Sequence, residues 1–464
     1  MENYQGMDGD IVSVTALGKA AVPAKSELAE NLLAGLQHVL TMCPGAIAVP
    51  MILGNGMGLD HQTIAFLIAA NFFAAALATL LQVVGVGKFV GSKLPIALGS
   101  AFAPLGPMII IGQAHGLPAV FGGVIASGAI LFVVCMGINR ILKFFPPIVL
   151  GAFLTMVGVT LIPTAFENLA GGAGAVNFGS PINLVLGFGV LLLIVLLNQF
   201  GNTLLRSTAL LIGLGTGTLL AIPFGLVDLS PVAGAALFDF NLPFHFGMPE
   251  FRLDAILIMT LFSVINMVQC IGVFAFLDNV RGTTTDEATI TRGMRAQSLS
   301  QMMAGVFNSF PSAMFNENVS VVKLSGNDSR QSVAFAAVLL LILSLCPKLS
   351  TFITCIPTPV IGGAMVALFG TIAAAGVSIL AKVDLSDNKN TLILGAGLAA
   401  GVGAHFTTDA FSGLPEVAAM LFSNGLFMVA LVTVVLNVVF NWKTFWEREE
   451  SPAPCKGGEG QLAE

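Results

Sequence analysis

The sequence predicts an all-α polytopic membrane protein of fourteen transmembrane segments, arranged as 7+7 inverted repeats, and three observations carry that prediction. Mean hydropathy is +0.91 over 464 residues, of which 56% are hydrophobic and only 9% charged. Apolar runs of about 20 residues, the length that crosses a bilayer as a helix, recur along the whole chain. Two segments at matching places, 93–111 and 311–325, are shortened and interrupted by Gly, Pro or polar residues, and a matched pair of broken spans points to a transporter binding site near mid-membrane.

In order, the full-length runs lie near 30–53, 62–86, 116–139, 145–164, 182–200, 205–226, 254–277, 291–309, 332–349, 357–381, 389–406 and 418–441. With the broken pair they number fourteen, and the broken spans stand third and tenth. An odd number of spans in each repeat turns the second half upside down relative to the first. Charge placement tests the count independently. One set of loops and termini holds Lys19, Lys25, Lys88, Lys93, Arg140, Lys143, Arg206, Arg281, Arg292, Arg295, Lys323, Arg330, Lys382, Lys389, Lys443, Arg448 and Lys456, whereas the other holds only Arg252 and Lys348. That asymmetry places both termini on the cytoplasmic side of a plasma membrane, the inner membrane in a bacterium. The tails 1–28 and 443–464 are short and polar, and MENYQGMDGDIVSV lacks the basic and apolar regions of a cleaved signal.

Composition excludes several functions. The 52 glycines, 35 phenylalanines and single tyrosine fit no soluble class. Cys43, Cys135, Cys270, Cys346, Cys355 and Cys455 form no C-x-x-C pair and read as small core residues. The five histidines have no metal-ligand spacing, and no nucleophile elbow, P-loop or dinucleotide fingerprint is present. No enzyme activity, cofactor, metal or nucleic-acid partner is expected.

Residues 305–330, GVFNSFPSAMFNENVSVVKLSGNDSR, concentrate the chemistry. Glu317 and Lys323 are costly against lipid, so they are expected to face protein or a water-filled cavity. Pro311, Asn316 and Asn318 interrupt the apolar pattern, as backbone lining a cavity does; an ordinary extramembrane loop is the alternative. Gln269 lies in span eight, and Gln297 and Gln301 in span nine. An inward amide suits a heterocycle presenting N–H beside C=O, while helix-to-helix hydrogen bonding is the alternative for each.

Together these segments resemble the nucleobase-ascorbate transporter family, also called nucleobase:cation symporter 2, and its xanthine and uric acid permease branch in particular. The resemblance covers about residues 30–442 and rests on GLQHVLTM at 35–42, LPIALGSAFAPLGPM at 94–108, LAGGAG at 169–174, the QCIGVF, RGMR and FNSFP segments, and VVLNVVFN at 434–441. The family signature maps onto 317–326. Glu317 and Asn318 match it; Ser320 stands where Gly is expected and Ser325 where Thr is.

The resemblance implies a core domain of residues 29–139 and 254–350 and a gate domain of 140–253 and 351–442, moving against each other within a homodimer. It implies a substrate between them, with Phe102 stacked on the base and the backbone of Ala101 and Phe102 facing that near Asn316. Glu317, Gln269, Asn316 and Asn318 would bind substrate. His38, Gln297, Ser320 and Lys323 would serve coupling or support, His38 by holding the core helices. The implied function is secondary active transport of a nucleobase, an oxidised purine such as xanthine or uric acid, coupled to a proton or sodium. Two departures stand out. Gln269 and Gln297 replace a Glu and an Asp of proton-coupled relatives, and Glu317 stands where purine permeases carry Gln and uracil permeases Glu. An uncoupled facilitator, an anion transporter or a uracil permease of the same fold therefore remain alternatives.

Overall fold

The computed structural model describes residues 24–442 except 138–143, 173, 203, 204 and 207. The C-terminal tail 443–464 and most of the N-terminal one lie outside the described residues, as do Lys19, Arg140, Lys143, Lys443, Arg448 and Lys456. Fourteen helices stand where fourteen spans were expected. The first seven are α1 (Ala24–Met57), α2 (His61–Val83), α3 (Leu105–His115), α4 (Leu117–Val134), α5 (Pro147–Leu169), α6 (Pro181–Phe200) and α7 (Ala209–Ala221). The second seven are α8 (Leu253–Arg281), α9 (Glu287–Val306), α10 (Asn316–Ser325), α11 (Arg330–Ser344), α12 (Thr358–Leu380), α13 (Asn388–Phe406) and α14 (Gly425–Phe440). Strands β1 (Leu98–Ser100) and β2 (Ser312–Met314) precede α3 and α10, the third helix of each repeat.

Local chemistry sets the ends. Asp60 caps α2 by accepting from the N–H groups of Gln62 and Thr63. Proline opens α4, α5, α6 and α12, where its missing donor is harmless. Gly282 and Gly326, with φ of 64° each, close α8 and α10 in the left-handed conformation. Among the described residues seven helices have the length and apolarity to cross a bilayer alone, and α11 continues through an 80° bend into Pro347–Thr354. At about 1.5 Å per residue, α3 and α10 reach only about half the hydrocarbon thickness, so each span is completed by its strand.

Several boundaries differ from the sequence reading. α1 starts at Ala24, inside the expected tail. Span eleven, expected to run straight to 349, ends at Ser344 before the bend, where Pro347 restarts the chain. The last span is split into Glu416–Phe422 and α14, because Asn424 turns its side chain onto the N–H groups of Leu426 and Phe427 and starts a new helix.

The helices pack as two groups. α1–α4 pack with α8–α11, and α5–α7 with α12–α14. The most extensive helix pair is α5 on α12, and glycine makes its closeness possible. A Cβ on Gly362 would lie 2.0 Å from the backbone N of Leu169, and one on Gly376 would lie 2.3 Å from that of Thr155. Between the groups runs an apolar seam, lined by Ile47 and Met51 of α1, Leu210 and Leu214 of α7, and Ile361 and Met365 of α12.

Gly362→Val is therefore expected to lower the melting temperature of the detergent-solubilised protein, since overpacking costs about 1–3 kcal/mol. Gly370→Val on the same helix, where nothing lies within 4 Å of the added Cβ, should leave it unchanged. Equal melting of both variants would contradict the packing account.

Candidate functional site

Antiparallel pairing of β1 and β2 joins the two broken spans. Leu98 stands opposite Met314, Gly99 opposite Ala313 and Ser100 opposite Ser312. The ladder is extended by Ala101 N–H donating to Pro311 O at 2.7 Å and Phe315 N–H donating to Ala97 O at 3.1 Å. This corrects one expectation: the backbone at Ala101 faces Pro311, not Asn316. The pairing is centred on Gly99 and Ala313, and antiparallel strands leave such a centre in opposite directions. Side chains close part of that gap. A Cβ on Gly45 would lie 3.1 Å from the Phe315 ring and 3.5 Å from the Phe102 ring, so both rings converge on this point of α1. Phe315 also covers Gly99, where a Cβ would stand 2.6 Å from its ring. One phenylalanine among 35 carried no signal in the sequence.

The ribbon lies where water cannot finish its hydrogen bonds, so side chains from three helices do. Thr79 of α2 donates to Leu98 O at 3.1 Å and accepts from Leu98 N–H at 3.0 Å. Asn266 of α8 and Gln297 of α9 both donate to Ser312 O, at 2.8 and 3.0 Å. The Cys270 thiol accepts from Met314 N–H at 3.3 Å. Neither Thr79 nor Asn266 was singled out beforehand, because an isolated polar residue in an apolar helix has many possible partners.

The three glutamines have different surroundings. Gln301 donates to Ser127 and Ser263, both at 2.8 Å, and so binds α9 to α4 and α8. Gln297 fastens the ribbon. Gln269 is half-buried on α8, and its Nε2 is buried with no acceptor among the described residues. Its donor is thus unused by the fold.

Helices α3 and α10 begin after Pro104 and Phe315 without a side-chain cap, leaving N–H groups and the positive end of each dipole open. Glu317 sits in the first turn of α10, where a carboxylate is favoured, and Lys323 in its last turn, where a cation is. Among the described residues no ion pair joins them. Glu317 and Asn316 are both accessible at the start of α10. Asn318 turns inward, with its Nδ2 3.0 Å from His38 Nδ1 and 3.4 Å from His38 O. Because an amide N–H donates, His38 Nδ1 accepts and its proton sits on Nε2. His38 is fully buried and joins α1 to α10. Ser320 donates to Asn316 O at 3.3 Å within α10. A separate cavity of about 310 Å³, lined among others by His61, Asn183, Asp228, Thr354 and Thr358, shares no residue with this set.

An open carboxylate, an unused amide donor and two uncapped helix starts around a buried ribbon can bind a small planar molecule by its hydrogen-bonding edge. Set in fourteen helices of two inverted repeats, this arrangement defines an integral membrane transporter rather than an enzyme. A family model described as the permease family matches residues 29–410. The chain is 37% identical over 412 residues to a xanthine permease of Bacillus subtilis, covering 89% of this chain and 94% of that one. It is 38% identical over 412 residues to the uric acid permease PucK of the same organism, covering 89% and 96%. Among solved structures, the transmembrane domain of the cyanobacterial bicarbonate transporter BicA shares the fold, with a TM-score of 0.56 at 17% identity over 89% of this chain and 97% of that one. The chain belongs to the nucleobase-ascorbate transporter family.

Removing Asn318 by Ala should leave His38 Nδ1 buried without its donor and destabilise the protein by about 1–3 kcal/mol. In a double-mutant cycle with His38→Ala the double variant should lose less than the sum of the two single losses. Strict additivity in melting experiments would show that the pair does not interact.

Proposed function

We propose that this permease carries an oxidised purine, xanthine or urate, by alternating access, with Glu317 as the principal recognition group. The carrying observation is the placement of that carboxylate. It lies accessible in the uncapped first turn of α10, a helix that packs on α8, which carries Gln269 and holds β2 through Asn266 and Cys270. A purine dione presents ring N–H groups to a carboxylate and carbonyl oxygens to an amide N–H or a helix start, and Phe102 supplies an aromatic face. The similarity to xanthine and uric acid permeases of Bacillus subtilis supports the same substrate class.

In this reading α1–α4 with α8–α11 form the core, and α5–α7 with α12–α14 form the gate that slides along the apolar seam. The protein sits in the plasma membrane, the inner membrane in a bacterium, with both termini cytoplasmic, and works as a homodimer. Gln269 and Gln297 cannot exchange protons in the physiological range, so Glu317 is the acid left in the site to couple transport to a proton.

Replacing Glu317 by Ala should remove a charge-assisted hydrogen bond of about 1.5–3 kcal/mol, equivalent to roughly ten- to a hundredfold in affinity for xanthine or urate. Unchanged binding at matched abundance would refute the recognition role.

Uptake of radiolabelled xanthine, urate, uracil and ascorbate into proteoliposomes at several imposed pH gradients tests substrate and coupling together. Proton-coupled transport predicts accumulation above equilibrium that Glu317→Gln abolishes while exchange of substrate partly survives. Uptake that never exceeds equilibrium in the wild type identifies an uncoupled facilitator. Accumulation that survives Glu317→Gln would move coupling to sodium or to another group.

A further inference from the structure

We propose that Asn71 is a positioning residue for transport, a three-way brace that sets where the two broken spans cross and so where their helix starts meet substrate. The proposal rests on the transport reading above. Asn71 lies in the middle of α2 and is 2% exposed. Its Nδ2 donates to Ala46 O of α1 at 2.7 Å. Its Oδ1 accepts from Ser100 Oγ at 2.5 Å and from Ser309 Oγ at 2.9 Å. Both lone pairs of one amide oxygen are therefore used, one by the last residue of β1 and the other by the segment that leads from α9 into β2.

The contacts close a ring. Ser100 ends β1 and is followed by Ala101, whose N–H donates to Pro311 O; Pro311 stands two residues after Ser309, which returns to Asn71. The third arm holds Ala46, the neighbour of Gly45, where the Phe102 and Phe315 rings converge. The other ribbon contacts each hold one strand: Thr79 holds β1, while Asn266, Gln297 and Cys270 hold β2. Asn71 holds both strands' flanks and the wall behind the rings. Asparagine alone fits this task at this length. Aspartate accepts but cannot donate to Ala46 O, and would bury a charge. Serine and alanine are too short to reach three partners.

A brace that serves only stability would change abundance and melting, whereas one that positions the site changes substrate affinity in molecules that remain folded. Ser100→Ala and Ser309→Ala each remove one arm and keep Asn71, so they report even where Asn71→Ala fails to fold. Each serine variant should raise KM for xanthine or urate by roughly five- to tenfold, with maximal uptake per folded transporter within about twofold of wild type. Adding Ser100→Ala to Asn71→Ala should change KM no further, because the shared contact is already gone. Hydrogen–deuterium exchange without substrate should quicken at 98–101 and 311–315 in every variant and stay unchanged at α13. Wild-type KM and wild-type ribbon exchange in the serine variants would overturn the proposal. A wild-type protein that carries neither purine would defeat the transport reading instead, and the exchange experiment would still decide whether Asn71 fixes the crossing.

Discussion

Backbone N–H and C=O groups at membrane depth have no water to complete their hydrogen bonds, so a span can break there only where protein supplies the partners. Both broken spans of this permease exist under that constraint. β1 and β2 satisfy each other through three residue pairs and two flanking bonds, and the remaining edges are met by Thr79, Asn266, Gln297 and Cys270. Those partners come from α2, α8 and α9, which explains why these apolar helices carry polar side chains at mid-length. Once the ribbon is held, α3 and α10 can begin inside the protein, with first turns that no side chain caps.

The charges on α10 follow from the same geometry. A helix that starts at mid-membrane presents its positive end to the interior, which favours Glu317 in the first turn, and its negative end to the far side, which favours Lys323 in the last. The two residues are six apart, about 9 Å along the axis. Each therefore answers to the dipole and to its own surroundings rather than to the other. Lys323 consequently leaves the Glu317 carboxylate free for an external partner, which a close ion pair would not.

Hydropathy made the fourteen spans legible, because a bilayer demands about 20 apolar residues wherever a helix crosses unaided. Gly, Pro and Asn made the third and tenth spans legible as broken. The sequence also brought forward Glu317 and Gln269 as polar residues in unfavourable company, and the family resemblance brought forward His38. The direction of strand pairing was not legible. Three-residue strands carry too little alternation to set a register, and the facing of Ala101 with Asn316 was consequently misplaced. Asn71 and Phe315 were missed for related reasons. A lone amide in NFFAAALATLL has no local partner to betray its role, and an aromatic in a chain rich in phenylalanine is indistinguishable from core. Such roles depend on residues hundreds of positions away, as the contact between Asn71 and Ser309 does.

The glutamines show how one substitution can serve structure and chemistry together. Gln297 donates through its Nε2 to Ser312 O, a carbonyl that also receives Asn266. A carboxylate in that position could not donate, and its charge would stand against the carbonyl oxygen unless it held a proton. An amide therefore fastens β2 at any pH, whereas an acid would fasten it only when protonated. Under the proton-coupled reading proposed above, the chain would separate two tasks that an acid in span nine would combine: Gln297 fastens the ribbon at any pH, and the titratable group stands on α10. A proton taken up by Glu317 would alter the substrate's partner directly while leaving the ribbon's hydrogen bonds intact, so binding and protonation would be linked at a single carboxylate on a framework that does not itself titrate.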